Sequence, residues 1–142
     1  MELAFDEAEA AARTGEVPVG CVIVREGEMV ARAHNRTIAD HDPTAHAEML
    51  ALRAAARDLG AERLSGCDLY VTLEPCAMCA AAISFSRIRR LYYGAADEKG
   101  GAVQSGVRFF AQATCHHRPE IYDGISETRA AALLKNFFAA RR

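Results

Sequence analysis

The chain has 142 residues, 51% of them hydrophobic and 25% charged, with a net charge of −2 at neutral pH. That is one domain's worth of chain with enough apolar material for a real core, which excludes a disordered or low-complexity protein. No apolar run approaches the ~20 residues that cross a bilayer, and Met1-Glu2-Leu3 begins without the basic region and apolar core of a signal peptide. A cytoplasmic protein with no membrane association is expected. Five cysteines are an odd number, which in a reducing compartment argues against a disulfide framework. The net charge excludes a broadly basic nucleic-acid coat and leaves room for a local basic groove, because binding follows where charge sits.

Glu2 to Arg13 reads as a helix with Leu3, Phe5, Ala8, Ala11 and Ala12 on one face, stopped by Gly15. Cys21-Val22-Ile23-Val24 and Met29 to Ala33 flank Glu26-Gly27-Glu28 and predict a hairpin. A loop runs from His34 to Asp42. Asp42-Pro43-Thr44 then supplies a helix start, with Thr44 as the expected cap, and the helix extends from about Ala45 to Leu59 before Gly60. Asp68 to Leu73 is a third strand, and Pro75 breaks it and opens a helix from Cys76 to about Phe85. Arg90 to Gly94 is a fourth strand, Ala95 to Ser105 a Gly-rich loop, and Val107 to Gln112 is ambiguous between element types. Glu120-Ile121-Tyr122 is a fifth strand before a closing helix, Glu127 to about Ala140. Strands alternating with helices predict a layered α/β domain whose sheet is largely parallel beyond the hairpin.

Two short stretches carry chemistry. His46-Ala47-Glu48 and Pro75-Cys76-Ala77-Met78-Cys79 offer one imidazole, two thiols and one free carboxylate. Zinc takes nitrogen and sulfur ligands in a tetrahedron, and a catalytic site keeps three protein ligands and an open fourth position. His46, Cys76 and Cys79 supply three, and no other Cys or His falls beside either stretch, so one Zn2+ per subunit is expected. Glu48, two residues past His46, can face an attacking water without coordinating the metal, which is where a proton shuttle belongs. The backbone N–H groups near Ala47 and Cys76 are candidates to orient the water or a base. H-x-E followed by P-C-x-x-C is the signature of zinc nucleobase deaminases. A redox reading of the C-x-x-C pair leaves His46 and Glu48 without a task, and a structural zinc site would be closed by a fourth protein ligand.

The other polar and reactive residues read more plainly. Cys21 and Cys67 lie in or beside strands as small buried apolar groups, and Cys115-His116-His117 is a packing or substrate-facing loop. His34 and His41 are solvated loop residues. Asn35 follows a strand directly and can offer its amide to the edge of a base. Arg87, Arg89 and Arg90 are solvated by default, with a subset beside the metal helix positioned for phosphate. Phe109 and Phe110 are core residues before they are stacking platforms.

The sequence resembles the cytidine deaminase-like superfamily and, within it, the bacterial tRNA-specific adenosine deaminases that convert a wobble adenosine to inosine. The resemblance rests on Glu16-Val17-Pro18-Val19-Gly20, His34-Asn35, His41-Asp42-Pro43-Thr44-Ala45-His46-Ala47-Glu48, Leu69 to Cys76 with Met78-Cys79-Ala80, Ser86-Arg87-Ile88 and Gly94-Ala95-Ala96-Asp97. It implies a three-layer α/β fold with a five-stranded mixed sheet between helices, and one zinc-dependent deaminase domain over 1–142. It implies zinc on His46, Cys76 and Cys79, Glu48 as the proton shuttle, and Asn35 holding the flipped base. Asp97 would touch a neighbouring nucleotide. A tRNA anticodon stem-loop as substrate and a homodimer in which RNA spans both subunits are also implied. A free-base deaminase acting on guanine or cytosine with the same zinc site is the alternative.

Overall fold

The computed structural model describes residues 1–141. Five strands form one mixed sheet in the order β2-β1-β3-β4-β5. β1 (Gly20–Arg25) runs antiparallel to both β2 (Glu28–His34) and β3 (Cys67–Leu73), whereas β3, β4 (Arg90–Ala95) and β5 (Glu120–Tyr122) are parallel. The expected sheet, parallel beyond the hairpin, is therefore present. The hairpin turn is Glu26-Gly27 alone, with both residues at positive φ, the two-residue geometry whose twist matches antiparallel strands.

Helices cover both faces. α2 (Ala47–Leu59) and α3 (Ala77–Phe85) close the larger core, in which Cys21, Ile23, Cys67, Leu69, Val71, Leu91 and Tyr93 project from three neighbouring strands at every second position. Cys21 and Cys67 are thus the buried apolar groups expected of them, and Phe110 joins the same core from a short 3-10 turn at Phe109–Ala111. α1 (Glu2–Arg13) and α4 (Glu127–Ala139) cover the opposite face. No helix of the structure is long and apolar enough to cross a membrane.

The buried face of α1 is Ala4, Phe5, Ala8 and Ala11, while Leu3 is exposed. The expected face included Leu3 and lacked Ala4, and close packing explains the difference. A Cβ built on Gly20 would lie 1.9 Å from the Ala4 carbonyl oxygen and 2.6 Å from the Ala8 nitrogen. Alanines on the helix and glycine on the strand let the two backbones meet, an approach that a leucine facing the sheet would prevent. Gly94 does the same for α4, where an added Cβ would meet the Ala130 Cβ at 2.9 Å.

Two buried carboxylates hold the loops at the end of the sheet where β3 and β4 finish. Glu74, 2% exposed, accepts the backbone N–H groups of Asp97, Val103, Gln104 and Ser105 and the Ser105 hydroxyl, at 2.9–3.0 Å. Glu16, also 2% exposed, accepts the N–H groups of Ile38 and Ala39 at 3.1 and 2.8 Å. Burial pushes both carboxyls up, and the converging N–H donors more than offset it, so both end below the ordinary carboxylate value. A lowered native value means that this stabilisation is complete above the unfolded pKa of ~4.3 and is lost as pH falls through the folded value.

Glu74→Gln replaces an acceptor by an amide NH2 facing N–H donors, so unfolding should become easier by about 1–3 kcal/mol. Urea melts at pH 7 and pH 4 check this: the gap between wild type and variant should be widest at pH 7 and shrink at pH 4. A gap that widens at pH 4 would refute the assignment.

Candidate active site

The site lies where α2 and α3 begin. His46 occupies the N-cap position of α2 and Cys76 that of α3, both with extended backbone, and Cys79 sits in the first turn of α3. The expected helices began at Ala45 and Cys76; each starts one or two residues later, which makes the ligands His46 and Cys76 the caps themselves. Thr44 is not the cap, because its N–H and hydroxyl both donate to Asp42 Oδ1 at 2.8 and 2.7 Å. That Asx turn aims the chain into α2.

The ligand atoms of His46, Cys76 and Cys79 all lie within 4.8 Å of one another, and no fourth side chain joins them among the described residues. His46 Nδ1 stands 3.6 Å from Cys76 Sγ and 3.5 Å from Cys79 Sγ. Tetrahedral zinc with bonds of ~2.3 Å to sulfur and ~2.05 Å to nitrogen has an N-to-S edge of about 3.6 Å. The residues present therefore fit the metal. The free N–H groups at both helix starts favour the thiolate forms that zinc requires. Cys76 is drawn down to about 4 by a hydrogen bond from the Cys79 thiol and by His46, while that same bond and burial push Cys79 up.

Glu48 is 4% exposed and lines the cavity beside the ligands. Burial pushes its carboxyl up to about 7. The cavity, about 320 Å³, is bounded by Val17, Val19, Asn35, Leu73, Cys76 and Asp97 among others. Asn35 Oδ1 accepts the Ala47 N–H at 2.8 Å, which leaves the amide NH2 as what Asn35 offers the cavity. Ala47 is fully buried and its N–H is engaged, so the expected contact between this N–H and water or base has no free donor. Asp97 fixes its own loop by accepting the Lys99 and Gly100 N–H groups at 3.1 and 3.0 Å.

The cavity is not a closed chamber. Val17, Leu73, Asp97 and Gly100 also line a larger cleft of about 1130 Å³ that continues to Lys99, Leu134, Phe138 and Arg141. Asp97 borders both.

Other expectations changed place. His34 is not a loop residue: it ends β2, with Nδ1 2.6 Å from Glu7 Oε2. Cys115 and His117 form a packing loop, with the Ser84 hydroxyl donating to the His117 carbonyl at 2.8 Å and His117 Nε2 donating to the Ile88 carbonyl at 2.7 Å. Arg87, Arg89 and Arg90 follow the metal helix directly, as expected, at the end away from the ligands. α3 rises ~1.5 Å per residue and carries Arg87 about 12 Å along its axis from Cys79. Glu16 and Glu74 were missed as site-builders. Their signal was a carboxylate beside apolar residues, Val17 and Pro18 for Glu16 and Leu73 and Pro75 for Glu74, a setting where a charge needs partners.

Comparison with known proteins agrees with this geometry. The model of the cytidine and deoxycytidylate deaminase zinc-binding region matches residues 1–95. A tRNA-specific adenosine deaminase of Agrobacterium fabrum is 60% identical over the whole chain and 93% of its own length. A structure solved in a study of A-to-I editing by tRNA:A34 deaminases at the wobble position of transfer RNA superposes with a TM-score of 0.93. It is 61% identical, over 94% of this chain and 97% of that one. The guanine deaminase of Bacillus subtilis shares the fold at a TM-score of 0.67, with 31% identity over 99% of this chain and 90% of its own. With its ligand triad, five-stranded mixed sheet and these relatives, the chain belongs to the cytidine and deoxycytidylate deaminase zinc-binding family, on the branch of the tRNA-specific adenosine deaminases.

Proposed function

We propose that the chain is a zinc-dependent hydrolase that deaminates adenosine to inosine at the wobble position of a tRNA anticodon, with residues 1–142 acting as one deaminase domain in the cytoplasm. The observation that carries the reading is a small zinc-site cavity lying against a larger cleft, the two sharing Val17, Leu73, Asp97 and Gly100. A free-base deaminase must close around a small molecule. An enzyme acting on a polynucleotide must admit one base and let the chain leave on either side, and an open cleft beside a small pocket provides that path. The names of the relatives support the same substrate.

Zinc, when bound, supplies the Lewis acidity that makes water a competent nucleophile near neutral pH. The protein's residues do the rest. Asn35, its oxygen tied to Ala47, presents an NH2 donor to a ring acceptor of the flipped adenine. Glu48 takes a proton from the attacking water and returns protons to the ring and to the departing amine. A carbon–oxygen bond forms at C6, the carbon–nitrogen bond breaks, and ammonia leaves. Asp97, which lines the cavity, contacts the nucleotide next to the flipped one in this reading.

A homodimer is part of this proposal. α3 is apolar all round, yet Ala77 and Phe85 on its outer side are exposed, Phe85 by 66%, with Ala81 half-buried between them. A helix apolar on every side is normally covered, and the family resemblance makes a second copy the occupant. Sedimentation should show a dimer for the native chain and a monomer for Phe85→Glu; a native monomer at micromolar concentration would remove the dimer from the proposal.

Ammonia release and inosine formation should be measured on an anticodon stem-loop with a wobble adenosine beside free guanine, cytosine and adenosine. Turnover of the stem-loop alone is expected. Turnover of a free base alone would transfer the zinc chemistry to the guanine or cytosine reading. Glu48→Ala should keep about one zinc per chain and lose on the order of 10²–10⁴ in turnover. Normal turnover by that variant would remove the shuttle role.

A further inference from the structure

The opposite end of the sheet carries a second polar groove that the deaminase reading does not use. Its volume is about 460 Å³, and Arg63, Arg87, Arg89, His117 and Arg118 line it with Glu120. These residues precede or begin β3, β4 and β5, so the groove sits at the N-terminal ends of the parallel strands, whereas the zinc site sits at their C-terminal ends. Seven residues of β3 at ~3.3 Å each put about 20 Å between the two ends of the sheet, and Arg87 stands about 12 Å from Cys79 along the α3 axis at ~1.5 Å per residue.

The groove is built from segments bonded to one another. The Leu64 N–H donates to the Ser86 carbonyl at 2.6 Å, the Arg89 N–H to the Cys67 carbonyl at 2.8 Å, and the Glu120 N–H to the Arg89 carbonyl at 2.9 Å. Charge is concentrated there. Arg89 is paired with Asp68 and Arg90 with Glu120, while Arg63, Arg87 and Arg118 have no acidic partner among the described residues. Five arginines against two carboxylates leave the patch at +3 on a chain whose net charge is −2.

Arg87 adds an independent sign. It has φ +61 just past the end of α3, a left-handed position that favours glycine. Its guanidinium donates to the Ser84 carbonyl at 3.1 Å, which leaves four of its five N–H donors for another acceptor. A strained backbone carrying arginine where glycine is preferred marks a site where the side chain is used.

We propose that this groove is a second RNA contact that holds backbone phosphates of the substrate remote from the reacting base. Three unpaired guanidiniums on a bonded scaffold suit the planar, bidentate recognition of phosphate. At the opposite end of the sheet from the pocket, the groove is beyond nucleotides adjoining the flipped base and within reach of a structured stem. The proposal rests on the RNA-editing reading and adds to it a determinant of substrate size.

The test is the triple variant Arg63→Gln, Arg87→Gly, Arg118→Gln, which leaves both ion pairs intact and relieves the strain at position 87. Steady-state kinetics should be run on full-length tRNA and on a short single-stranded loop oligonucleotide over a range of salt. For tRNA, KM should rise about tenfold with kcat nearly unchanged, and the slope of log affinity against log salt should fall by about 2, at ~0.7–0.9 per phosphate lost. The short oligonucleotide should be unaffected. Equal KM and equal salt slope for tRNA would overturn the groove. Should the native enzyme turn over no RNA, the editing reading fails by itself. Binding of an A-form RNA duplex to native and variant chains then decides the groove, with equal, equally salt-dependent binding counting against it.

Discussion

Two helices start at one point, and the rest of the site follows from that. α2 and α3 both begin at the carboxyl end of the sheet, and each uses a metal ligand, His46 or Cys76, as its N-cap. A helix start leaves backbone N–H groups without intrahelical partners, and two such starts make a locally positive place that stabilises thiolates. The cost is that neither cap residue satisfies a helix N–H with its own side chain. Asn35 offsets part of it by accepting the Ala47 N–H, so the residue proposed to hold the base also fixes the helix that carries His46 and Glu48.

An enzyme that admits a polymer cannot seal its site with apolar packing. Here the loops around the mouth are held by buried carboxylates instead. Glu74 gathers the 97–105 loop through four backbone donors and Glu16 the turn at 37–39 through two, and both stay buried while Glu74 lines the open cavity. Close packing is spent elsewhere, on the far face, where Gly20 and Gly94 let α1 and α4 rest against the strands. The division leaves one end of the sheet for chemistry and the other for a cationic groove.

How much of this could be read from the sequence depends on the range of the interaction. The ligand triad was legible because residue type and spacing carry the chemistry of zinc, and the element order was legible because hydrophobic period and turn residues are local signals. The roles of Glu16 and Glu74 were not, since each binds backbone N–H groups more than 20 residues away and a backbone donor has no residue identity to read. How far the arginines after α3 stand from the ligands is hidden in the sequence for a related reason. Arg87 is eight residues from Cys79 in sequence, and a rigid helix turns that short separation into the distance from one end of the molecule's core towards the other. Leu3 was assigned to the buried face because it is the more apolar neighbour of Ala4, whereas the contact with Gly20 selects the smaller side chain.

The most direct test of the central claim, that the zinc cavity and its adjoining cleft take one adenine out of an RNA chain, is a crystal structure of the zinc-loaded Glu48→Ala variant with an anticodon stem-loop. The account requires the wobble adenine in the cavity with its edge on the Asn35 amide, and the flanking nucleotides leaving past Asp97 into the cleft bordered by Phe138 and Arg141. An adenine stacked within the loop outside the cavity, or RNA seated only on another surface, would contradict it.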